Sequence, residues 1–330
     1  MKNTFKLITI LLLTFTAISL AKSSPKPQKQ RFEWKTIDKT TALTSGENTI
    51  WQFNYSKETS KPFFHPVSLT DGTVLTMDRP DDHPWHHALW FTWKYINGVN
   101  FWEESRKTGK SNGKTDWNRV IIEKNDDFSA KITLDLNYHH KGQKPILSEK
   151  RTIFVSAPDS DGVYYMDWTL IFTACSDVDV ELNRTPLVGE KQGRAWGGYA
   201  GLSVRLNGLG SDWAITTEKG PLKSIKSVSR GKARSMEFSG VFKGNPAGIA
   251  ILDNPQNLNA PTPWYAIAGN PMKYFSPAVI CYKPHVMKPG ETLELRYRVI
   301  VHPDKWNSEN LKLQLKKYKA ETAKTRKANK

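Results

Sequence analysis

The segment DRPDDHPWHHALWFTWKYINGVNFWEE, residues 78–104, predicts a loop, a strand and a hairpin turn in direct succession. Pro80 and Pro84 remove backbone donors and push the residues before them toward extended geometry, which predicts a rigid loop over 79–86. Asn97 and Gly98 predict a two-residue hairpin turn, with 99–102 as the returning strand. Between loop and turn, a strand is predicted with two faces: Leu89, Phe91, Trp93 and Tyr95 on one, and Trp90, Thr92 and Lys94 on the other.

Short extended runs separated by turns recur along the rest of the chain, and helical periodicity is scarce. About ten such runs predict an all-β fold, a large antiparallel β-sandwich. A C-terminal helix is expected to close it, with Asn307 and Ser308 as caps and Leu311, Leu315 and Tyr318 at helical spacing. Besides 89–95, the predicted strands are 49–55, 130–138, 150–156, 163–172, 178–182, 202–206, 248–252, 278–282 and 292–302.

The N-terminal residues 1–21 are predicted to be a signal peptide. Two lysines precede an apolar run that is too short for a transmembrane helix, and small residues near its end offer a cleavage site. We therefore expect an exported protein, periplasmic or secreted, with one β-sandwich domain at 22–310 and a basic helix and tail at 311–330. In such a compartment Cys175 and Cys281 are open to two alternatives, a disulfide or two buried thiols.

The net charge of +16 is concentrated at the two ends of the chain. Residues 1–30 hold five lysines and no acid, and residues 311–330 carry seven net positive charges, which leaves four for residues 31–310. The folded body is thus only mildly basic, so no nucleic-acid partner and no integral membrane association are predicted. A partner that is an anionic oligosaccharide or polysaccharide is compatible with this charge.

Several blocks of the chain resemble a bacterial family of unknown function that carries the label methane oxygenase PmoA and is associated with carbohydrate-degradation loci. The resemblance implies a carbohydrate-related role and a supersandwich of the galactose-mutarotase-like type, as in aldose epimerases and several polysaccharide lyases. A membrane methane monooxygenase subunit would need several apolar helices of about twenty residues, which are missing after the leader. The blocks are RPDDHPWHH (79–87) through WEE (102–104), RTP (184–186), WGGYAGLSVR (196–205), TPWY (262–265), YFSP (274–277) and 290–302.

Three of the eight histidines, His83, His86 and His87, fall in the predicted rigid loop or directly after it and are the candidate catalytic residues. An imidazole titrates near pH ~6.5 and can both take and give a proton. Tyr199, which glycines surround, is a further candidate for removing a proton. Structural roles for the histidines, or a zinc site completed by a neighbouring aspartate, remain alternatives. Their spacing matches no standard metal motif, so no metal or cofactor is predicted.

Arginines and tryptophans near these blocks are the candidates for binding a sugar. A guanidinium group matches a carboxylate or a sulfate in geometry and charge, and a tryptophan in a loop can stack on a sugar ring. Trp117 lies in a loop-like context, as Trp85, Trp196 and Trp264 do. The predicted substrate-binding residues are Arg79, Asp82, Trp85, Glu103, Arg184, Arg194, Trp196, Arg205 and Trp264.

These candidate residues are compatible with three functions. The favoured one is a lyase on uronate-containing or sulfated oligosaccharides, in which an arginine grips the carboxylate and a histidine or Tyr199 removes the neighbouring proton. The second is a glycoside hydrolase, which needs two carboxyl groups, with Asp82 and either Glu103 or Glu104 as the pair. The third is a non-catalytic carbohydrate-binding protein, in which the histidines are structural.

Overall fold

Antiparallel strands dominate the computed structural model, which describes residues 32–222, 228–269 and 271–328. The predicted signal peptide lies outside these residues, and the export of the protein stays a prediction. Within the described ranges the chain forms twenty-two strands and one helix. In chain order these are β1 (Phe32–Ile37), β2 (Thr40–Ser45), β3 (Asn48–Asn54), β4 (Phe63–Val67), β5 (Leu89–Thr92), β6 (Tyr95–Ile96), β7 (Val99–Asn100), β8 (Gly113–Lys124), β9 (Ala130–His140), β10 (Leu147–Val155), β11 (Tyr164–Ala174), β12 (Val180–Asn183), β13 (Gly201–Arg205), β14 (Ser211–Thr217), β15 (Gly220–Pro221), β16 (Ser229–Lys232), β17 (Ser235–Phe242), β18 (Asn245–Asp253), β19 (Pro263–Ile267), β20 (Tyr274–Pro277), β21 (His285–Met287), β22 (Thr292–Pro303) and α1 (Ser308–Ala328).

Two nine-stranded sheets enclose the main hydrophobic core. The first has the order β1-β2-β3-β4-β5-β13-β20-β19-β16, and the second β15-β14-β17-β18-β22-β11-β10-β9-β8. Aromatic pairs join the two sheets across the core: the ring centres of Phe64 and Trp168 are 5.8 Å apart, and those of Phe91 and Phe172 are 5.4 Å apart. A four-stranded sheet, β21-β12-β6-β7, completes the strands. The predicted large antiparallel sandwich is confirmed.

The outer face of the first sheet carries a second apolar cluster. Successive side chains of a strand point to opposite faces, so Phe91 of β5 enters the main core while its neighbour Trp90 points outward. The same alternation separates Phe275 in the core from Tyr274 on the outer face. Trp90 and Tyr274 thereby form, with Trp102, the base on which the candidate site is built.

The predicted hairpin is confirmed, but the strand before it is interrupted. Asn97 and Gly98 have φ of 46° and 77°, as a tight turn of this type requires. The predicted strand 89–95 divides into β5 in the first sheet and β6 in the small sheet, and the returning strand ends at Asn100. The strand predicted at 278–282 is wrong, because the chain turns directly after β20. This short apolar run is buried within a turn, and periodicity alone does not distinguish that from a strand.

The C-terminal helix forms as predicted. The Asn307 side-chain oxygen accepts hydrogen bonds from the backbone N–H groups of Glu309 (2.9 Å) and Asn310 (3.1 Å), which caps α1. Leu311 and Tyr318 are buried against β18 and β22, on the outer face of the second sheet. The helix thus lies on the side of the sandwich opposite to the outward cluster of the first sheet.

The two cysteines are separate free thiols. Cys281 is buried in the turn after β20, where burial raises the pKa of its thiol to about 11. Cys175 lies just after β11 and is exposed. Of the two alternatives that the sequence left open, the structure has unpaired thiols, of which one is buried.

Candidate functional site

An aromatic cavity of about 230 Å³ lies on the outer face of the first sheet. Pockets for drug-sized molecules measure roughly 300–1,000 Å³, so this cavity suits a ligand of about one ring. Its aromatic rings offer apolar faces, and its titratable side chains offer hydrogen bonds. The cavity, called the aromatic cavity below, is lined by His83, Trp85, His86, Trp102, Glu103, Trp196, Tyr199, Tyr265, Ile267, Met272 and Tyr274.

The loop that carries the histidines closes on itself, as the prolines predicted. The Arg79 N–H donates to the His86 carbonyl (2.8 Å), and the His83 N–H donates to the Pro80 carbonyl (3.0 Å). Arg79 has φ of 49°, which bends the chain into the loop. The loop leads directly into β5, so its side chains are fixed relative to the first sheet.

His83 is oriented by Asp82 and Arg205. Its Nδ1 lies 2.9 Å from Asp82 Oδ2, and Arg205 Nη2 donates to both Asp82 oxygens at 2.8 and 2.9 Å. Burial would raise the pKa of Asp82, but the hydrogen bonds and charges of His83 and Arg205 outweigh it and lower the pKa. An ionised Asp82 holds the proton on Nδ1 and leaves the lone pair on Nε2. His83 lines the cavity and is 32% exposed, so this nitrogen can serve as a base.

His86 lies deeper in the cavity wall, within a stack of rings. Its ring centre is 4.7 Å from that of His83, 5.2 Å from Trp90 and 5.3 Å from Tyr274. Burial holds the pKa of His86 well below its usual range, so the ring is neutral. Its Nδ1 has no hydrogen-bond partner among the described residues. A neutral imidazole of this kind can donate or accept one hydrogen bond but brings no charge.

Glu103, Lys94 and Tyr199 form a polar triangle on the cavity. Lys94 Nζ pairs with Glu103 and donates to the Tyr199 hydroxyl at 3.0 Å, and that hydroxyl donates to Glu103 Oε1 at 3.1 Å. Burial opposes ionisation of Glu103, but Lys94 chiefly outweighs it and lowers the pKa. Burial raises the pKa of Tyr199 well above its usual range. Tyr199 is therefore a phenol, which can donate a proton but does not fit the role of base that the sequence suggested.

His87 lies outside the lining and is part of a buried ionic network. It is fully buried, with Nδ1 2.9 Å from Asp78 Oδ1 and Nε2 2.8 Å from Glu104 Oε1. Buried Lys61 also contacts Glu104 (2.8 Å), and Lys61 and His87 together outweigh burial and lower the pKa of Glu104 to about 2. Arg79 reaches the other Glu104 oxygen at 3.7 Å. The network stabilises the loop, which corrects the catalytic role predicted for His87. The Arg79 side chain is 43% exposed, and its predicted substrate contact stays a prediction.

Arg184 is bound to protein groups throughout. It is 4% exposed, and its Nε donates to the Cys281 carbonyl at 3.1 Å. Its Nη2 donates to Glu190 Oε1 at 2.5 Å and to the Tyr282 carbonyl at 3.2 Å. These bonds hold the segment after β12 against the turn after β20. The predicted grip of Arg184 on an acidic sugar is therefore replaced by a structural role.

Trp196 stands at the rim of the cavity on a segment that Arg230 holds. Trp196 is 54% exposed. Arg230 Nη2 donates to the carbonyls of Ala195 (2.6 Å) and Gly197 (2.7 Å), on either side of the tryptophan. Exposed Arg194 lies with its guanidinium carbon 5.9 Å from the centre of the Trp196 ring. Arg194 thus lies beside Trp196 with an exposed guanidinium group.

Two tryptophans expected in loops are core residues. Trp264 lies in β19 with no exposed surface, and its indole N–H donates to the Ala233 carbonyl at 2.9 Å. Trp117 lies in β8, is 2% exposed and donates to the Tyr55 carbonyl at 3.0 Å. Because side chains alternate along β19, the neighbouring Tyr265 faces the cavity instead. The substrate-binding role predicted for Trp264 is therefore wrong.

Several residues of the site were not among those predicted from the sequence. Tyr265 and Tyr274 line the cavity, and both fall in blocks that the resemblance singled out, TPWY and YFSP. Adjacent side chains of a strand point to opposite faces, so Tyr265 and Tyr274 face away from the core that Trp264 and Phe275 enter. This alternation is the signal that could have identified them. Lys94 stood on the outward face of the predicted strand, but no local pattern indicates its contact with Tyr199, more than a hundred residues later.

The part of the chain that the structure describes contains no group of three or more His, Cys, Asp or Glu side chains placed to hold a metal ion. Within the same part, no helix is long and apolar enough to cross a membrane. The expectations of no cofactor and no integral membrane association stay predictions.

Comparison with known proteins finds a match to the family of unknown function DUF6807 over residues 40–316. The match includes neither the PmoA label nor a link to carbohydrate-degradation loci, and both stay predictions. No curated protein matches the chain. One similar solved structure is the galactosidase domain of alpha-galactosidase-sucrose kinase, AgaSK (8% identity, TM-score 0.43); the match covers 83% of this chain and 42% of that one, so this chain spans less than half its length. Another is a putative aldose 1-epimerase from Klebsiella pneumoniae subsp. pneumoniae (8% identity, TM-score 0.46), with 88% of each chain covered.

Proposed function

Since the chain belongs to DUF6807, a family of unknown function, we propose its activity from the aromatic cavity: a carbon-oxygen lyase that acts on one ring of a polysaccharide-derived oligosaccharide. The observation that carries this proposal is His83, whose Nδ1 is bonded to Asp82 while Arg205 donates to that carboxylate and the imidazole ring lines the cavity. A carboxylate that fixes the tautomer of a histidine is a common way of preparing a general base. The aromatic walls supply stacking for the sugar ring.

The elimination assigns one role to each side of the cavity. His83 Nε2 takes the carbon-bound proton next to an electron-withdrawing group of the sugar, and that C–H electron pair forms the new C=C bond. The C–O bond at the neighbouring carbon breaks, and the leaving oxygen receives a proton from the Tyr199 hydroxyl. The Lys94 ammonium, 3.0 Å from that hydroxyl, stabilises the negative charge that develops there. His83 then releases its proton to solvent, and the Tyr199 phenolate takes a proton from solvent, so both side chains return to their starting states.

Hydrolysis is the weaker candidate because no protonated carboxyl group is at hand. A glycosidase needs one carboxylic acid of raised pKa and one carboxylate. The pKa values of Asp82, Glu103 and Glu104 are all lowered, and Glu104 is not part of the cavity lining. A purely binding protein would have no use for an oriented imidazole beside a phenol and an ammonium group.

For the substrate, an acidic sugar from an anionic polysaccharide remains our proposal. Arg184 and Arg205 bind protein groups, so the carboxylate is proposed to meet Arg194 at the rim beside Trp196. A uronate carboxylate held there would acidify the neighbouring C–H bond. The enzyme would meet this substrate in the periplasm or outside the cell, as the leader suggests.

The test is turnover of uronate-containing oligosaccharides, followed by the ultraviolet absorbance of the unsaturated product. His83→Ala should lower kcat by about 10²–10⁴-fold, the usual contribution of a general base, with little change in melting temperature because the side chain is partly exposed. His285→Ala is the control. His285 lies in β21, is partly buried, and lines neither the aromatic cavity nor the larger cavity beside β8, so turnover should persist.

Two other results would overturn the lyase proposal. New reducing ends without ultraviolet absorbance would identify a hydrolase, and affinity without any turnover would identify a binding protein. Full activity in His83→Ala would remove the imidazole from the mechanism.

A further inference from the structure

A second and larger cavity, which we call the lysine cleft, has a volume of about 670 Å³. It lies between the connection from β3 to β4 (57–60), the segment 105–112, the start of β8 (113–117) and Lys141. Since β8 is the edge strand of the second sheet, one wall of the cleft is a free sheet edge. None of the residues that line the lysine cleft also lines the aromatic cavity.

The cleft carries four ammonium groups and one carboxylate. Lys57 and Lys141 are exposed, and neither side chain has a partner among the residues that the structure describes. Lys114 pairs with the carboxylate, Asp116, at 2.9 Å and remains 56% exposed. Asp116 also contacts His139 at 2.7 Å, so this carboxylate is bound by protein groups on both sides. The cleft therefore presents a net positive potential to a ligand.

The fourth lysine, Lys110, holds the cleft in shape. Its Nζ donates to the backbone carbonyls of Lys57 (3.0 Å) and Thr59 (3.2 Å), which ties the segment 105–112 to the connection 57–60. The Ser60 hydroxyl donates back to the Gly109 carbonyl at 3.0 Å. The two walls are thus joined before any ligand arrives, which reduces the entropy lost on binding.

We propose that the lysine cleft binds an anionic oligosaccharide through its sulfate or carboxylate groups. The uncharged polar groups of the lining are hydroxyls and an amide, which suit the hydroxyls of a sugar chain: Thr59, Ser60, Ser105, Thr108, Ser111, Asn112 and Thr115. A single-stranded nucleic acid would need aromatic faces on which bases stack. The one aromatic residue of the lining, Trp117, is 2% exposed, so the cleft favours a glycan.

The cleft and the aromatic cavity are joined by short pieces of chain. Glu103 lines the cavity and Ser105 lines the cleft, two residues apart. Lys61 of the buried network follows Ser60 of the cleft directly. The inference rests on the proposed function only in naming the ligand a saccharide: the cleft would hold the charged chain while one ring enters the cavity.

The experiment measures the affinity of the full chain for oligogalacturonate, a sulfated galactan oligosaccharide and a neutral galactan oligosaccharide of equal length. The double variant Lys57→Gln/Lys141→Gln should weaken binding of a charged oligosaccharide by about fivefold for each ammonium group removed, from the attraction of unit charges at ~4 Å in water. Binding of that ligand should also weaken as salt is added. Comparing the two charged ligands shows whether carboxylate or sulfate is preferred.

The control is Lys39→Gln/Lys150→Gln, which removes the same charge from exposed lysines outside the cleft and should bind as the parent protein does. Equal losses in both double variants, or equal affinity for the neutral oligosaccharide, would overturn the inference. An oligothymidylate of matched charge that binds as tightly would also overturn it. His83→Ala should still bind the charged oligosaccharide. Turnover therefore tests the proposed lyase, and salt-dependent binding tests the lysine cleft, each independently of the other.

Discussion

Replacing Glu237 with glutamine should make the stability of the protein less dependent on pH. Glu237 lies in β17 with no exposed surface, and burial outweighs the groups that favour its charged form, which are the Ser239 hydroxyl, the Trp306 backbone and the Lys305 ammonium. The His302 ring is also close, with Nε2 3.9 Å from Oε1. Burial lowers the pKa of His302 to about 3, so that ring is neutral at ordinary pH. Burial likewise raises the pKa of Glu237 to about 8.

The size of the effect follows from the interval between the two pKa values. In the unfolded chain the carboxyl group titrates at its ordinary value of 4.5, and in the folded protein at about 8. Below pH 4.5 both states hold the proton, and above pH 8 neither does. Between them only the folded state holds it, so the free energy of unfolding falls as pH rises. At about 1.4 kcal/mol per unit, the loss approaches about 5 kcal/mol by pH 8.

The assay is urea unfolding, followed by tryptophan fluorescence, for both proteins across pH 4.5 to 9. The quantity of interest is the unfolding free energy of Glu237→Gln minus that of the parent. This difference should grow steadily up to pH 8 and then level off. Asp253, whose pKa burial raises to about 7, contributes equally to both proteins and cancels. Glu123→Gln, an exposed glutamate of the same sheet, should show a difference of at most ~1 kcal/mol. A difference that stays constant with pH would refute the reasoning.

Three further predictions concern the packing around the site and the core. Glu104→Gln should destabilise the protein by about 3–5 kcal/mol in urea unfolding at neutral pH, because it leaves Lys61 buried without its counter-charge. The Glu104 pKa of about 2 is below the ordinary 4.5, so the parent protein should lose this stability as pH falls from 4.5 to 2. An unfolding free energy that stays constant over this pH range would contradict the prediction. Arg230→Lys should raise KM about tenfold with little change in kcat, since it loosens the segment of Trp196; steady-state kinetics with kcat alone reduced would argue against this. Gly248→Ala should cost about 1–3 kcal/mol by thermal unfolding, because its Cβ would lie 2.6 Å from Glu237 Oε1, and an unchanged melting temperature would contradict it.

Local pattern was enough to predict most of the architecture. Alternation in 292–302 predicted β22, the Asn97-Gly98 pair predicted the hairpin, and Asn307 predicted the start of the helix. Each of these signals depends on neighbours within a few residues, where the backbone period and turn chemistry decide the outcome. The prediction failed at 278–282, because an apolar run of five residues is equally compatible with a strand and with a buried turn.

From the sequence we predicted a stiff loop with His83 and His86 on it and His87 directly after it, beside a sheet. The different environments of the three rings depend on the tertiary structure: His83 lies at the cavity, His86 within its wall, and His87 between two carboxylates. The deciding partners, Arg205 for Asp82 and Lys61 for Glu104, come from distant parts of the chain. Charge pairing and burial act through space, so the pairing of strands determines which histidine faces the cavity.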